Sequence, residues 1–478
     1  MVDKKTLKII IVILIISSFI GAIGLTYSYF SLEIEGTPKD IVMTTGDLRL
    51  KYIDGTELSL TNAVPGDSIT KEIEVKNVGT KSTAYNLKLN NLINTIENFE
   101  LNITLTCKSY NDNNELEGEC PNIYRSINYN ETEGTQILKK NIEIDVGITQ
   151  KYTVIIKFEN KDYTQNTNLN KKFSSILSVE GYEVPKTVNC TFDGEMVQGA
   201  KFVKGQYTYS YKQEGAYTGV NSIYWQDIDE DGWGVQLSSK VSTDPVSGEI
   251  CSYINDKPIV SMNDAYYLSS ATSIDLTGID TRNVTNMHGL FYDSKATEIK
   301  GLETLDTSKV TNMRSMFLNS KVKKINLETF DTSNVTNMGN MFSGVSLTES
   351  LNLSNFDTSK VTDMSSMFYL TTIELDLSSF NTKSVTNMAG MFQSINADKL
   401  DLKNFDMSKV TTSNRMLGNT KINILNLSNL IISDDTVLAN IFADSTIKET
   451  IVNNEETLNI LKGTDKIPSD MKFTLKNS

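Results

Sequence analysis

Leu351-Asn-Leu-Ser-Asn-Phe-Asp-Thr-Ser-Lys-Val-Thr-Asp-Met-Ser-Ser-Met-Phe368 is a phrase that occurs seven times, with small changes, between Ile274 and Phe442. Its copies end at Phe291, Phe317, Phe342, Phe368, Phe392, Leu417 and Phe442, spaced by 26, 25, 26, 24, 25 and 25 residues. A period in the twenties with apolar residues at fixed places marks a solenoid, whose units cannot bury their own hydrophobic side and stack to share one core. Within a unit, Leu351 and Leu353 stand two apart and predict a short strand. Val361, Met364, Met367 and Phe368 stand at spacings of 3 and 4 and predict one or two helical turns, with Asp357-Thr358-Ser359 as turn and helix N-cap. The expectation is an α/β solenoid of strand, cap, short helix and return.

The repeated side chains are read as structure. Phe330, Phe356, Phe380 and Phe405 form one expected column and Met313, Met338, Met364 and Met388 another, each covering its neighbour in the core. A methionine stripe can also serve as an adaptable binding surface, but at this spacing on the inward face it belongs to the core. Asp280, Asp306, Asp331, Asp357, Asn381 and Asp406 make a polar column that could be taken for a cation ladder. Like charges about 5 Å apart repel unless each is bonded locally, so capping is the better account. The phrase fades at Ser413 and at Leu430-Ile-Ile-Ser433 and is lost from Ala443 to Ser478, which should cap the open end.

Outward from the repeats, the 478 residues leave room for two or three more units. A hydrophobic content of 39 % and a charged content of 22 % are those of folded material. The net charge of −14 argues against a nucleic-acid partner, which would call for basic patches. The chain has one histidine, His288, inside the first repeat and expected on the solenoid surface. A single imidazole removes most metal-hydrolase and catalytic-triad chemistries, and no cluster of nucleophile, base and oxyanion donor can be assembled, so an enzyme is not expected. No cofactor is expected either.

Residues 1–32 read as a targeting segment: Lys4, Lys5 and Lys8 precede an uncharged run from Ile9 to Leu32. That order leaves the N-terminus in the cytoplasm and sends the rest outside. The run either spans a bilayer of about 30 Å as an anchor or is cut after a small residue such as Ser28. Residues 33–185 switch to a period of two, as in Tyr152, Val154, Ile156 and Phe158, with turns such as Pro65-Gly66-Asp67. This predicts an Ig-like β-sandwich of about seven strands.

Residues 186–258, bracketed by Pro185 and Pro258, are rich in glycine and carry Tyr207, Tyr209 and Tyr211 at strand spacing, which predicts a small β domain. The tyrosines are expected in its core; the alternative is a platform for sugar rings with Trp225 and Trp233. Asp227, Asp229 and Asp231 followed by Gly232 resemble the opening of a calcium loop, but Ser238 stands where a bidentate glutamate is needed, so they are a weak metal candidate. Cys107, Cys120, Cys190 and Cys251 are even in number in a chain expected outside the cytoplasm. Position favours bridges 107–120 and 190–251, with four free thiols as the alternative.

Two resemblances add to these readings. Thr26-Tyr-Ser-Tyr-Phe-Ser31, Gly46-Asp-Leu-Arg-Leu50, Val64-Pro-Gly-Asp67 and Ile73-Glu-Val-Lys-Asn-Val-Gly79 make residues 1–180 similar to the camelysin and TasA-like secreted proteins of Gram-positive bacteria. That likeness implies an exported matrix component; without a histidine in this region it carries over no metalloprotease activity. The repeats, Leu305-Asp-Thr-Ser-Lys-Val-Thr-Asn-Met-Arg-Ser-Met-Phe317 above all, resemble the BspA-like leucine-rich repeats of bacterial surface proteins. They imply a leucine-rich-repeat solenoid over residues 259–478 that serves adhesion or contact with a host or matrix protein or glycan. The expected whole is a non-catalytic surface or secreted protein, with the membrane as a partner if the leader is uncleaved. The alternative is a structural extracellular matrix or biofilm fibre assembling through the sandwich.

Overall fold

The computed structural model describes residues 31–475 apart from 36–40, 46–47, 54–57, 81, 98, 162–164, 166–167, 183–186, 214–230, 248, 373–374, 433–437, 439 and 465. The leader expected over residues 1–32 thus lies almost wholly outside the described residues. Among those described, no helix is long and apolar enough to cross a membrane.

The period-two region forms two facing antiparallel sheets. One joins Ser31–Glu35, Leu58–Ala63, Thr83–Asn94, Asn130–Ile144 and Lys171–Tyr182; the other joins Ile41–Thr45, Leu48–Ile53, Ser68–Asn77, Leu101–Tyr110, Leu116–Glu119, Ile123–Ser126 and Thr149–Phe158. These are twelve strands among the described residues, where about seven are expected from alternation. The inward residues of both sheets, among them Ile73, Val75, Leu87, Leu89, Ile103, Leu105, Tyr152, Val154 and Ile156, build one core. Cys107 is bridged to Cys120 within it.

The glycine-rich region folds as a six-stranded sheet ordered Asn189–Cys190, Tyr253–Ile254, Lys257–Ser261, Gly232–Leu237, Tyr207–Lys212, Lys201–Lys204. The Cys190–Cys251 bridge closes it. Its inner face, with Tyr207, Tyr209, Tyr211, Trp233, Val235 and Leu237, is continuous with the core of the solenoid, which runs on without a break to Leu461. The small sheet is therefore the lid on the first coil.

The solenoid is a β-solenoid, which corrects the expected α/β leucine-rich-repeat architecture. Where a helix is predicted, the backbone makes successive tight turns. Met313, Ser315, Phe317 and Asn319 donate their N–H groups to Asn337, Gly339, Met341 and Ser343 of the next coil, at 2.8–3.0 Å. The residues between them bond within the coil, Met316 to Met313, Leu318 to Ser315 and Ser320 to Phe317. Ser315 and Asn319 have φ of 57° and 53°, which no right-handed helix admits. The apolar spacing of 3 and 4 is thus produced by i→i−3 turns stacked coil on coil. The helical reading failed because both geometries bring residues 3 and 4 apart to one side. Among the described residues, the one α-helix of the repeat region is Glu455–Lys462, whose N-cap Asn454 accepts from Thr457 N at 2.7 Å.

Both expected columns are buried, but the ring stack runs through the phenylalanine that ends each phrase. Tyr266, Phe291, Phe317, Phe342, Phe368 and Phe392 follow one another at centroid separations of 5.3–5.8 Å with nearly parallel rings. Tyr266 belongs to a further coil: Ser261 pairs with Asn286 as Asn286 pairs with Asn312, so coils begin one period before the first legible phrase. They also outlast it, because Thr446–Val452 and Lys472–Leu475 continue the parallel sheet of Asn396–Asp401 and Lys421–Asn426.

Candidate functional site

The aspartate column sets one flank of the solenoid. Each carboxylate accepts the N–H two residues on: Arg282 to Asp280, Ser308 to Asp306, Ser333 to Asp331, Ser359 to Asp357 and Ser408 to Asp406, at 2.9–3.2 Å. These are side-chain-closed turns, so the capping account holds for a turn in place of a helix start. The adjoining threonines tie coil to coil. Thr332 Oγ1 donates to Asp357 O at 3.0 Å and accepts from Asp357 N at 2.8 Å, and Thr281, Thr307, Thr358 and Thr382 repeat the pair of bonds.

The sandwich lies against this flank. Arg125 Nη2 meets Asp331 Oδ1 at 2.6 Å and Arg125 Nε meets Asp357 Oδ2 at 3.6 Å, with the Asp331 carboxylate fully buried. Asn128 donates to Ser354 O at 2.6 Å, Lys140 to Leu305 O at 3.4 Å, and Lys403 sits 4.7 Å above the Tyr129 ring. Arg282 and Asn429 reach Glu143 and Glu97, so contacts run from the first coils to the last. Burial alone would raise the Asp331 carboxyl; Arg125, the Ser333 bonds and Lys139 overcome it and hold the group below its usual range. Burial pulls Lys140 down to about 8 against the attraction of Asp306, Glu180 and Asp331. A buried pair of this kind gives register more than net stability, since each charge has lost its water.

With that flank covered, the turn segments after each methionine form a separate surface. Its residues differ from coil to coil: half-buried Arg314, Asn340, Ser365, Ser366, Ala389 and Arg415 and exposed Asn414 reach the surface, while Ser315, Gly339 and Gly390 are buried. Arg314 skips a coil to pair with Asp363 at 2.9 Å, which is open to it because Gly339 between them has no side chain; a Cβ there would lie 2.6 Å from Arg314 Nη1. Tyr267 and Tyr292 pack with centroids 4.8 Å apart on the same surface, followed along the column by half-buried Leu318 and Tyr369.

The residues singled out by sequence fall as follows. Asp227 and Asp229 lie outside the described residues, as does Trp225; Asp231 accepts from Tyr211 Oη and pairs with Lys257 at 3.3 Å. Tyr207, Tyr209 and Tyr211 face inward against Trp233, whose indole donates to Ile254 O, and so do not present a platform. His288 is buried, not on the surface, with Nδ1 3.6 Å from Asp264 Oδ1. Among the described residues no group of three or more potential ligands is placed to hold a metal. Sequence reasoning missed Arg125 and Lys140. The available signal was Lys139-Lys140-Asn141, which interrupts the alternation where Asn141 has φ 55° and the strand register shifts.

No curated protein matches the chain. Two solved structures of infectious bursal disease virus, of the Gx and Gt strains, align with 34 % of it at 13 % and 16 % identity and TM-scores of 0.19 and 0.18. The chain spans little more than a third of those chains, 36 % and 38 %. Residues 260–352 and 344–454, the coils of the solenoid, match the family model described as Mycoplasma protein of unknown function, DUF285.

Proposed function

We propose that this is a non-catalytic protein of the bacterial surface or its surroundings that recognises a host or matrix protein or glycan through the turn face of its solenoid. The observation that carries the reading is the division of labour within each coil. Core and corner positions repeat almost unchanged, as stacking demands, while the turn position after the methionine varies from half-buried Arg314, Ser365 and Ala389 to exposed Asn414, with a buried Gly339 between the first two. Stacking alone does not require that variety, and an extended face of graded chemistry is how solenoids meet their ligands. The half-buried Tyr267–Tyr292 pair and Tyr369 supply amphipathic contact area there. Export is part of the proposal, supported by two bridged cysteine pairs, which persist in oxidising surroundings. The repeat pattern supports the BspA-like resemblance as the source of this role.

The test is a protein and glycan array probed with the full chain, followed by the variant Tyr292→Ala/Tyr369→Ala. Binding lost in the variant with an unchanged melting curve is expected; binding that survives it, or no binding on any array, removes the reading. Negative-stain images of the same sample address the matrix-fibre alternative, for which filaments rather than separate particles are required.

A further inference from the structure

Each coil carries one more outward strip, between its aspartate corner and its turn segment. In one coil it is Lys309-Val310-Thr311, with the valine buried and both neighbours exposed. The equivalent Val284, Val335, Val361, Val385 and Val410 are buried too, so the residues before and after each of them face away from the core. Two parallel rows result, with one residue of each row per coil. The first is Thr285, Thr311, Thr336, Thr362, Thr386 and Thr411. Each of these N–H groups donates to a carbonyl of the preceding coil at 2.8–2.9 Å, and each hydroxyl donates to the same carbonyl at 3.1–3.3 Å. The hydroxyl proton is thus spent within the wall, and the oxygen is left to accept from outside. Coils so bonded stand roughly 5 Å apart, which makes the row a ladder of acceptors of that pitch.

The second row is Asn283, Lys309, Asn334, Lys360, Ser384 and Lys409, a cation on every second coil. The asparagines hold the cations in place. Lys309 Nζ donates to Asn283 Oδ1 at 3.0 Å and Lys360 Nζ to Asn334 Oδ1 at 2.7 Å, and Asn334 Nδ2 in turn donates to Ser308 O at 2.7 Å. Each of these ammonium groups keeps two N–H donors for a ligand. Stacking accounts for the gaps in the row, since lysines on adjacent coils would repel, but it does not call for the lysines themselves. Arg282, Arg314, Lys324, Lys399 and Arg415 each pair with a carboxylate of the solenoid. Among the described residues Lys309, Lys360 and Lys409 pair with none, and neither row contains an acidic residue, in a chain of net charge −14.

We propose that this strip binds a linear, unbranched polysaccharide with a carboxylate on every second sugar, laid along the solenoid axis. A pyranose ring in an extended chain is close to one coil spacing in length, so each ring meets one threonine and every second ring one lysine. Sugar hydroxyls donate to the threonine oxygens, and the carboxylates accept from the ammonium groups. The six coils span roughly 24 Å and take about six sugars. A polymer charged at every unit sets half of its anions opposite Asn283, Asn334 and Ser384, which offer no counter-charge, and a neutral one leaves the lysines unused. The strip is distinct from the column of Tyr267, Tyr292 and Tyr369, so this inference does not rest on recognition by the turn segments, and either can fail alone.

The experiment is fluorescence anisotropy of end-labelled hyaluronan oligosaccharides, which carry a uronic acid on every second sugar, titrated with the full chain. Affinity should rise with length up to about six sugars and then level off, and should weaken with added salt. Lys309→Ser, Lys360→Ser and Lys409→Ser should each lower it by up to roughly fivefold, the worth of an exposed ion pair, and the triple variant by on the order of a hundredfold. The melting curve should not move, because all three side chains are exposed. Tyr292→Ala/Tyr369→Ala should bind hyaluronan as the wild type does, which separates this strip from the turn segments. Absence of hyaluronan binding, or equal binding by the triple lysine variant, overturns the proposal. So does equal binding of neutral cello-oligosaccharides, which would show that charge is not read. Tighter binding of polygalacturonate oligosaccharides or of duplex DNA, both charged at every unit, overturns the match to every second coil.

Discussion

The sandwich and the solenoid are both made of β hydrogen bonds, yet they hold their cores in opposite ways. In the sandwich, strands far apart in sequence meet, as Thr149–Phe158 does between Ser68–Asn77 and Leu101–Tyr110, and each makes contacts that no other strand can replace. In the solenoid every coil bonds to the next through the same atoms, so Met313 stands to Asn337 as Met338 stands to Asp363. Uniqueness in the one and equivalence in the other predict different responses to loss of a segment.

The largest effect should come from deletions. Removing residues 343–368, one whole coil, leaves equivalent neighbours that re-form the interface, so the protein should melt cooperatively at a lower temperature. Removing half a coil, residues 343–355, puts core residues opposite corner residues and should abolish the solenoid transition. Removing strand Leu101–Tyr110 should unfold the sandwich outright, because two further strands and the Cys107 bridge depend on it. Circular dichroism melting checks all three. Equal behaviour of the two coil deletions would end the comparison.

Next is the joint between the two bodies. Arg125→Ala leaves the Asp331 carboxylate buried without its counter-charge and should cost about 3–5 kcal/mol. Arg125→Met with Asp331→Leu removes both charges and should recover most of that loss. Urea titrations of the two singles and the double give the coupling. A single variant as stable as the double would show that water reaches the pair.

Lys140 gives the joint a pH signature of smaller size. Its folded value of about 8 lies below the ordinary 10.5, so between these values the unfolded chain binds more protons than the folded one. Stability therefore rises with pH across that window, by about 1.4 kcal/mol per unit at most. Above about 10 the buried tyrosines act the other way, since Tyr152 and Tyr209 are both raised by burial and resist ionising in the fold. Lys240, also lowered to about 8 by burial, contributes the same upward slope. The comparison is thus wild type against Lys140→Met at pH 7 and pH 9.5: the wild type should gain about 2 kcal/mol more than the variant. Parallel stability curves would place Lys140 in water.

What the sequence made legible follows the same division. Tyr152, Val154, Ile156 and Phe158 alternate because one side of their strand meets the core, and that period needs no knowledge of the partner strand. The seven phrases gave the coil length, and Cys190 and Cys251 their bridge, through position in the chain. The turn geometry at Ser315 and Asn319 was hidden because Met313, Met316 and Phe317 meet the core at spacings that a helix also satisfies. The coil at Met262, Ala265 and Tyr266 was hidden because its corners lack the Asp-Thr-Ser phrase, although its apolar spacing repeats that of Met287, Leu290 and Phe291. The joint was least legible. Arg125 and Asp331 are separated by 206 residues, and nothing local to either marks the other.

The smallest predicted effect separates two threonine columns that sequence alone treats alike. Thr358 is fully buried and both donates to Asn381 O at 2.9 Å and accepts from Asn381 N at 2.7 Å. Thr362, four residues on, is exposed and donates to Thr336 O at 3.2 Å in the preceding coil. Valine fits either site in shape but removes the hydroxyl. At 358 it leaves the part-buried N–H and carbonyl of Asn381 in the next coil without that partner, so Thr358→Val should cost about 1–3 kcal/mol. At 362 water replaces the lost bond, and the change should stay within about 0.5 kcal/mol. Urea titration of the two variants decides the point. If Thr362→Val costs as much as Thr358→Val, the exposed column also holds coils together, and the division between a structural corner and a free turn face would have to move.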